Sequence, residues 1–209
     1  MGEIIVFNIQ INNSSISIEA IFKGLVSEED KVQRAFDAVS PKVVGISLSK
    51  EGLAALKLNL PPSAYDLSEQ EHIYKALMET FGEVRLPTPA YVSAYQLATR
   101  TGIPLIPLDM NDDLYTQAYC EAVGGLDLVR ESMASRRLAK KKFDISSPEA
   151  FILDWERKMN RISGFRRLEI AREAHMAKAI ENLTKKYTVI LAFIEYERAE
   201  GVAKILGQL

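Results

Sequence analysis

Apolar positions along the chain change period several times, and each change predicts an element. Ile4 to Ile11 (IIVFNIQI) and Ile16 to Phe22 (ISIEAIF) are β-rich runs on either side of Asn12-Asn13-Ser14-Ser15. Polar turn residues between two such runs predict a hairpin. Alternation in the first run is partial, which predicts that both strands are covered on both faces. Ser27 then precedes Glu28-Glu29-Asp30, a good N-cap followed by acids that suit the positive end of a helix dipole. Val32, Ala35, Phe36 and Val39 give that helix one apolar face. Ser40-Pro41 stops it, Val43 to Leu48 is a buried strand, and Lys50 to Leu58 is a second helix.

The same signals continue downstream. Asn59-Leu60-Pro61-Pro62 is a loop, and Ser68 caps a helix to about Phe81 whose stripe is Ile73, Tyr74, Leu77, Met78 and Phe81. Pro87 and Pro89 bracket the entry to a helix over Tyr91–Thr101, with Tyr91, Ala94, Tyr95 and Ala98 facing inward. Gly102 fits its C′ position. Ile103 to Leu108 is a short strand in which Pro104 and Pro107 predict an edge or a bulge. Asp109 to Lys142 is helical, broken at Gly124-Gly125; Pro148 opens another helix to about Arg161, ended by Gly164. In the last long helix Leu168, Ala171, His175, Ala179 and Leu183 fall near one face. Thr188 to Ile194 is nearly all apolar, as in a central strand covered on both sides, and a short helix closes the chain.

Strands alternating with helices predict one α/β domain over residues 1–209 with right-handed crossovers. A mixed sheet begins with an antiparallel hairpin, continues with parallel strands at 43–48, 103–108 and 188–195, and is flanked by helices. A helical insertion occupies residues 110–165. At 209 residues the chain is long enough for one well-buried core and short for two.

Composition narrows the chemistry. Apolar residues make up 47% and the net charge is -2, so bulk electrostatics favour neither nucleic acid nor a membrane as partner. No apolar run reaches the roughly 20 residues of a bilayer span, and the MGEIIVF start reads as a strand rather than a secretion or myristoylation signal. A single cysteine, Cys120, excludes an internal disulfide, makes the cytoplasm the default compartment, and reads as an inert core thiol. Two histidines, an exposed His72 and a packed His175, are too few for an imidazole-rich metal centre. Charge is uneven: residues 130–167 hold 11 Lys/Arg against 5 Asp/Glu, leaving about -8 elsewhere. That excess reads either as a solvated helical surface or as an anion-binding arm.

The two ends of the chain resemble the TraB/PrgY (pheromone-shutdown) family, of the TIKI/ChaN/erythromycin-esterase-like group. Val26-Ser27-Glu28-Glu29-Asp30 and Pro41-Lys42-Val43-Val44-Gly45-Ile46-Ser47-Leu48 fall in register with that family's Val-Ser-x-x-Ser and Pro-Asp-Val-Val-x-Val-Glu-Leu segments. AREAHMAKAI resembles its Glu-Arg-Asp-x-x-Met-Ala-x-x-Ile helix, and PTPAYVSAYQLATRTGIPLIPLDM its Pro-Gly-x-Glu, helix and strand ending in Asp-Arg. The matches span about half the chain. Members are proposed to use two histidines and a glutamate as metal ligands or acid/base groups. Here the first Gly-x-x-His falls on Phe22 and Leu25, the strand-end glutamate on Ser47, and the following arginine around Glu51 or Gly52. The second glutamate falls on Ala90, and the last Gly-x-Gly-His on Glu195-Tyr196-Glu197-Arg198. Asp109 and Arg172 are kept, as is Gly201, while Met110 replaces an arginine. Leucine binds no metal and relays no proton, and a guanidinium is a permanent cation. The resemblance therefore implies a divergent member whose inherited chemistry is gone.

Open α/β sheets bind ligands at the carboxyl ends of their strands. Ser47, Asp109, Glu195, Glu197 and Arg198, with Arg172 from the last long helix, are the candidate ligand-binding residues; no catalytic residue and no metal or other cofactor is assigned. Asp109-Met110-Asn111-Asp112-Asp113 reads as a strand-to-helix turn capped by Asn111 or Asp112, in preference to an oxygen-rich metal loop. Three functions remain. The leading one is a non-catalytic, cytoplasmic binding or regulatory protein with a protein or small-molecule partner, acting alone or as a homo-oligomer. A metal-assisted hydrolase built on Asp109, Glu195, Glu197 and Arg172 is the alternative. The third is anionic-ligand or nucleic-acid binding through Arg136, Arg137, Lys140, Lys141 and Lys142.

Overall fold

The computed structural model describes residues 6–58, 61, 67–135 and 141–208. The architecture is α/β. Strands β1 (Val6–Ile11), β2 (Ser14–Ile21), β3 (Val43–Ile46), β4 (Leu105–Pro107) and β5 (Val189–Glu195) form one mixed sheet in the order β1-β2-β5-β3-β4. Only β1 runs antiparallel; β2, β5, β3 and β4 are parallel. The strand VILAFIE lies at the centre because it is apolar at both parities, and it is buried from Ile190 to Glu195. Pro107 costs little on β4, which is an edge, and Pro104 lies just before it.

Each face of β5 packs on its own set of helices. On one face Ile190, Ala192 and Ile194 meet α8 (Ser163–Thr184) and α9 (Tyr196–Leu206) through Met176, Ile180, Val202 and Leu206. On the other, Leu191 and Phe193 meet α1 (Glu28–Val39), α2 (Lys50–Lys57) and α4 (Pro89–Thr101) through Val32, Phe36, Leu53, Tyr91 and Ala94. Truncating a fully buried Phe193 would cost about 3–5 kcal/mol. A third cluster, beyond the strand ends, joins α3 (Glu69–Met78) and α7 (Pro148–Met159) through Met78, Phe151 and Ile152, with Tyr74 and Trp155 against them.

Several sequence expectations change in the folded chain. The hairpin turn is only Asn12-Asn13, with Asn12 at φ 52°, a left-handed value that asparagine tolerates. Ser14 belongs to β2, where its hydroxyl donates to the Tyr187 carbonyl at 2.8 Å. β1 is not covered on both faces: Val6, Asn8 and Gln10 are exposed on one side of this edge strand, while Phe7, Ile9 and Ile11 pack on the core from the other. Ser27 occupies the N-cap position of α1 without a side-chain bond; buried Glu28 instead accepts the Phe22 N–H at 3.1 Å. α4 starts at Pro89, earlier than Tyr91, since proline is preorganised for a first turn. Ser68 and Glu71 form a reciprocal capping box, Gly102 ends α4 at φ 71°, and Asn111 caps α5 (Asp112–Ala122). The 109–142 helix is α5 and α6 (Gly125–Ser135), and Lys141 and Lys142 are not helical.

Gly164 does not end α7, which stops at Met159; it lies in α8, where a Cβ would come within 2.4 Å of an Asp127 carboxylate oxygen. Asp127 is buried there, accepting the Gly124 N–H at 3.2 Å, so α6 turns a carboxylate inward and leaves Leu126, Val129 and Met133 exposed. On α8 the buried positions are Gly164, Leu168, Met176, Ala177 and Ile180, while His175 sits half-buried beside that stripe. His72 is exposed as expected, whereas Cys120 is not a core thiol: it is exposed on the outer side of α5. No described helix is long and apolar enough to cross a membrane.

Candidate functional site

Three strand ends and one helix bring the candidate residues to the carboxyl edge of the sheet. β3 delivers Ser47, β4 delivers Asp109, and β5 passes into α9 without a loop, so Glu195, Glu197 and Arg198 occupy the strand end and the first helical turn. α8 crosses this edge and contributes Arg172. All six meet along one edge, but they divide into a closed part and a part that faces a cleft.

Ser47 belongs to the closed part. It is buried, its oxygen lies 2.8 Å from the Tyr91 hydroxyl, and it reaches the Phe193 carbonyl at 3.3 Å. It also accepts the Glu195 N–H at 3.2 Å. Ser47 is thus engaged by three partners, and Tyr91 in turn is hydrogen-bonded to the Glu195 side chain as well as to Ser47. Burial holds the Tyr91 phenol well above its ordinary range, with Glu195 adding to the rise, so Tyr91 stays a neutral donor.

Ion pairs hold the rest. Arg172 grips Asp109 through Nη2 and Nε, the latter at 3.4 Å, and its Nη1 donates to both Glu169 oxygens at 3.2 and 3.1 Å. Arg198 donates from Nε to Glu169 at 2.8 Å, and from Nη1 to Glu197 at 2.8 Å. Asp109–Arg172–Glu169–Arg198–Glu197 is therefore a chain of alternating charge. Its members are largely buried, Arg198 at 10% side-chain exposure and Arg172 at 17%. Burial disfavours the Arg198 cation, but Glu197, Glu195 and Glu169 outweigh it and raise its affinity for the proton. Glu195 is less well served: its Oε2 is buried without a hydrogen-bond partner, 4.0 Å from the nearest Arg198 nitrogen.

A cleft of about 500 Å³ opens beside this network, between α3, α7 and the start of α9. Tyr74, Trp155 and Ile152 supply apolar wall, and Glu156, Glu195 and Glu197 supply carboxyls. Burial pushes the Glu156 carboxyl up to about 7; Arg198 pulls it back, while Glu197 and Glu169 push it further. Behind the cleft, burial also raises Glu173, whose carboxylate rests so close to Gly201 that a Cβ there would lie 2.2 Å from its oxygen. Among the described residues no three His, Cys, Asp or Glu side chains converge as a metal-ligand group.

Sequence reasoning missed Glu169, Glu156, Tyr74, Trp155 and the hydroxyl role of Tyr91. Glu169 carried a signal, since it precedes Arg172 by three residues and so shares its helix face. The others carried none, because α3 and α7 meet the strand end only through tertiary packing. Of the basic residues proposed as an anion-binding arm, Arg136, Arg137 and Lys140 lie outside the described residues, and Lys142 is exposed. No family model matches the chain, and a search of curated proteins returns no match to it.

Proposed function

We propose that the chain is a divergent relative of the TraB/PrgY family, and that it works as a non-catalytic binding or regulatory protein whose ligand enters the cleft at the carboxyl edge of the sheet. The observation that carries this is the mutual engagement of the edge residues. Ser47 is engaged by Tyr91, Phe193 and Glu195, while Asp109 and Arg198 are bound to opposite charges. The positions where the family places histidines fit the same view. Leu25 is buried and bridges to Val84, and Arg198 is an ion-paired cation. Neither side chain is suited to metal binding or proton relay at neutral pH. Carboxyls of Glu156, Glu195 and Glu197 and the rings of Tyr74 and Trp155 line the cleft as binding groups, and the cleft is of ligand size.

The cytoplasm as compartment and a homo-oligomeric state belong to the same proposal, the first supported by a single, exposed cysteine. Sedimentation of the purified chain reads the second. One observation favours a hydrolase as second reading: a carboxyl near neutrality, Glu156, lies beside Glu197 in an accessible cleft, as an acid/base pair requires. Both are tested by a screen of ester, amide and phosphoester turnover on the wild-type chain and on Ser47→Ala, Asp109→Asn, Glu195→Gln and Glu156→Gln. Binding without turnover is the expected result. A turnover abolished by one of these changes in a protein that stays folded would replace the leading reading with the second.

A further inference from the structure

We infer that the cleft selects an organic ammonium ion, held at Glu195 and Glu156 with its carbon skeleton along Tyr74, Trp155 and Ile152. This rests on the proposal that the cleft is a binding site and adds the ligand's chemical class. The first observation is an imbalance of charge. Among the described residues Asp109, Glu156, Glu169, Glu173, Glu195 and Glu197 are gathered around the guanidiniums of Arg172 and Arg198, with Lys204 acting on Glu173, so carboxyls outnumber cations. Arg172 is taken up by Asp109 and Glu169, and Arg198 by Glu169 and Glu197. Glu195 keeps only the longest of the Arg198 pairs, at 4.0 Å, and among the described residues no ion pair joins Glu156 to a cation. Buried negative charge in that state is relieved by protonation or by a cation from outside.

The second observation is independent of the charge count. Glu195 is 6% exposed, lines the cleft, and keeps Oε2 without a hydrogen-bond partner. A buried acceptor in a native structure calls for a donor, and an ammonium supplies three.

The walls decide which cation. The described carboxyls do not converge as metal ligands, whereas Tyr74 and Trp155 offer aromatic surface, their rings in edge contact at 5.2 Å between centroids. Aromatic faces beside carboxylates attract an organic ammonium through ring quadrupole and charge together. The lysines at the rim do not fill this place. Lys75 is paired with Glu79 at 3.3 Å, and Lys23 faces Glu71, whose carboxylate is engaged in the Ser68 capping box.

Trp155 is the only tryptophan in the chain and lines the cleft, so its fluorescence reads occupancy directly. Three probes matched in size would be titrated at pH 8: 3-phenylpropylamine, 3-phenylpropanol and 3-phenylpropionate, with magnesium chloride as a fourth arm. The amine is expected to bind at least tenfold more tightly than the alcohol or the carboxylate. Glu195→Gln and Glu156→Gln should each remove about tenfold of its affinity, while leaving the weak binding of the alcohol unchanged. Circular dichroism confirms that each variant is folded, and Tyr74→Leu, which removes the ring and no charge, serves as a second route to the same loss. Preference for the carboxylate would overturn the ammonium assignment and leave the cleft a binding site. Saturable magnesium binding that displaces the amine would overturn it in favour of a metal. No response to any probe would overturn both the assignment and the binding proposal.

Discussion

Replacing Glu156 by glutamine should stabilise the protein at alkaline pH and change nothing in acid. The carboxyl is raised from 4.5 to about 7, chiefly by burial. The folded state therefore holds this proton more tightly than the unfolded chain does. Below about pH 4.5 both states are protonated and Glu156 costs nothing. As pH rises toward 7 the unfolded chain releases its proton first, so folding loses stability through that window and carries the whole penalty above it. At about 1.4 kcal/mol per pH unit the shift corresponds to ~3 kcal/mol. Partial access to solvent at the cleft reduces the expected net effect to about 1–2 kcal/mol. Glutamine keeps an oxygen to accept the Asn160 amide, so the substitution removes charge and little else. Urea denaturation of both proteins at pH 4.5, 6, 7 and 8 measures it, with the m-value as a check on two-state behaviour. The difference should be near zero at pH 4.5 and grow to its full value by pH 8. A difference that does not vary with pH, or a variant less stable than wild type at pH 8, would refute the claim that this carboxylate is buried against its own charge.

Other outcomes follow from the same contacts. Arg198→Met leaves Glu169 and Glu197 without their shared cation and should cost about 3–5 kcal/mol in urea denaturation; adding Glu169→Gln should return part of the loss. Ser47→Ala strands the Glu195 N–H, takes one of two partners from the Tyr91 hydroxyl and should cost about 1–3 kcal/mol, whereas Tyr91→Phe removes one of three Ser47 bonds and should cost about 1 kcal/mol. Gly164→Ala drives a methyl against Asp127 and the Ala122 carbonyl and should cost about 1–3 kcal/mol, read as a lowered thermal midpoint.

What the sequence determined by itself were the features set by neighbours along the chain. The period of IIVFNIQI and ISIEAIF, the unbroken apolar run before Glu195, the prolines in and just before β4 and the Ser68 and Gly102 caps each act over a few residues. They were enough for the α/β class, the hairpin, the central position of β5 and the edge position of β4. The same locality brought Ser47, Asp109, Glu195, Glu197 and Arg198 to one edge, since strand ends in a parallel sheet lie side by side.

Only the tertiary structure decided how those residues are used. Whether Glu195 is paired depends on where Arg198 points, and Arg198 is drawn to Glu169 on a helix separated from it by |i−j| = 29 in sequence. Glu156 and Trp155 reach the cleft because α7 folds back over the strand end, and a Cβ at Gly164 or Gly201 would meet the carboxylate of Asp127 or Glu173, brought there by other helices or turns. Burial of charge is set by packing between distant segments, and a sequence read along its own length carries no record of that distance.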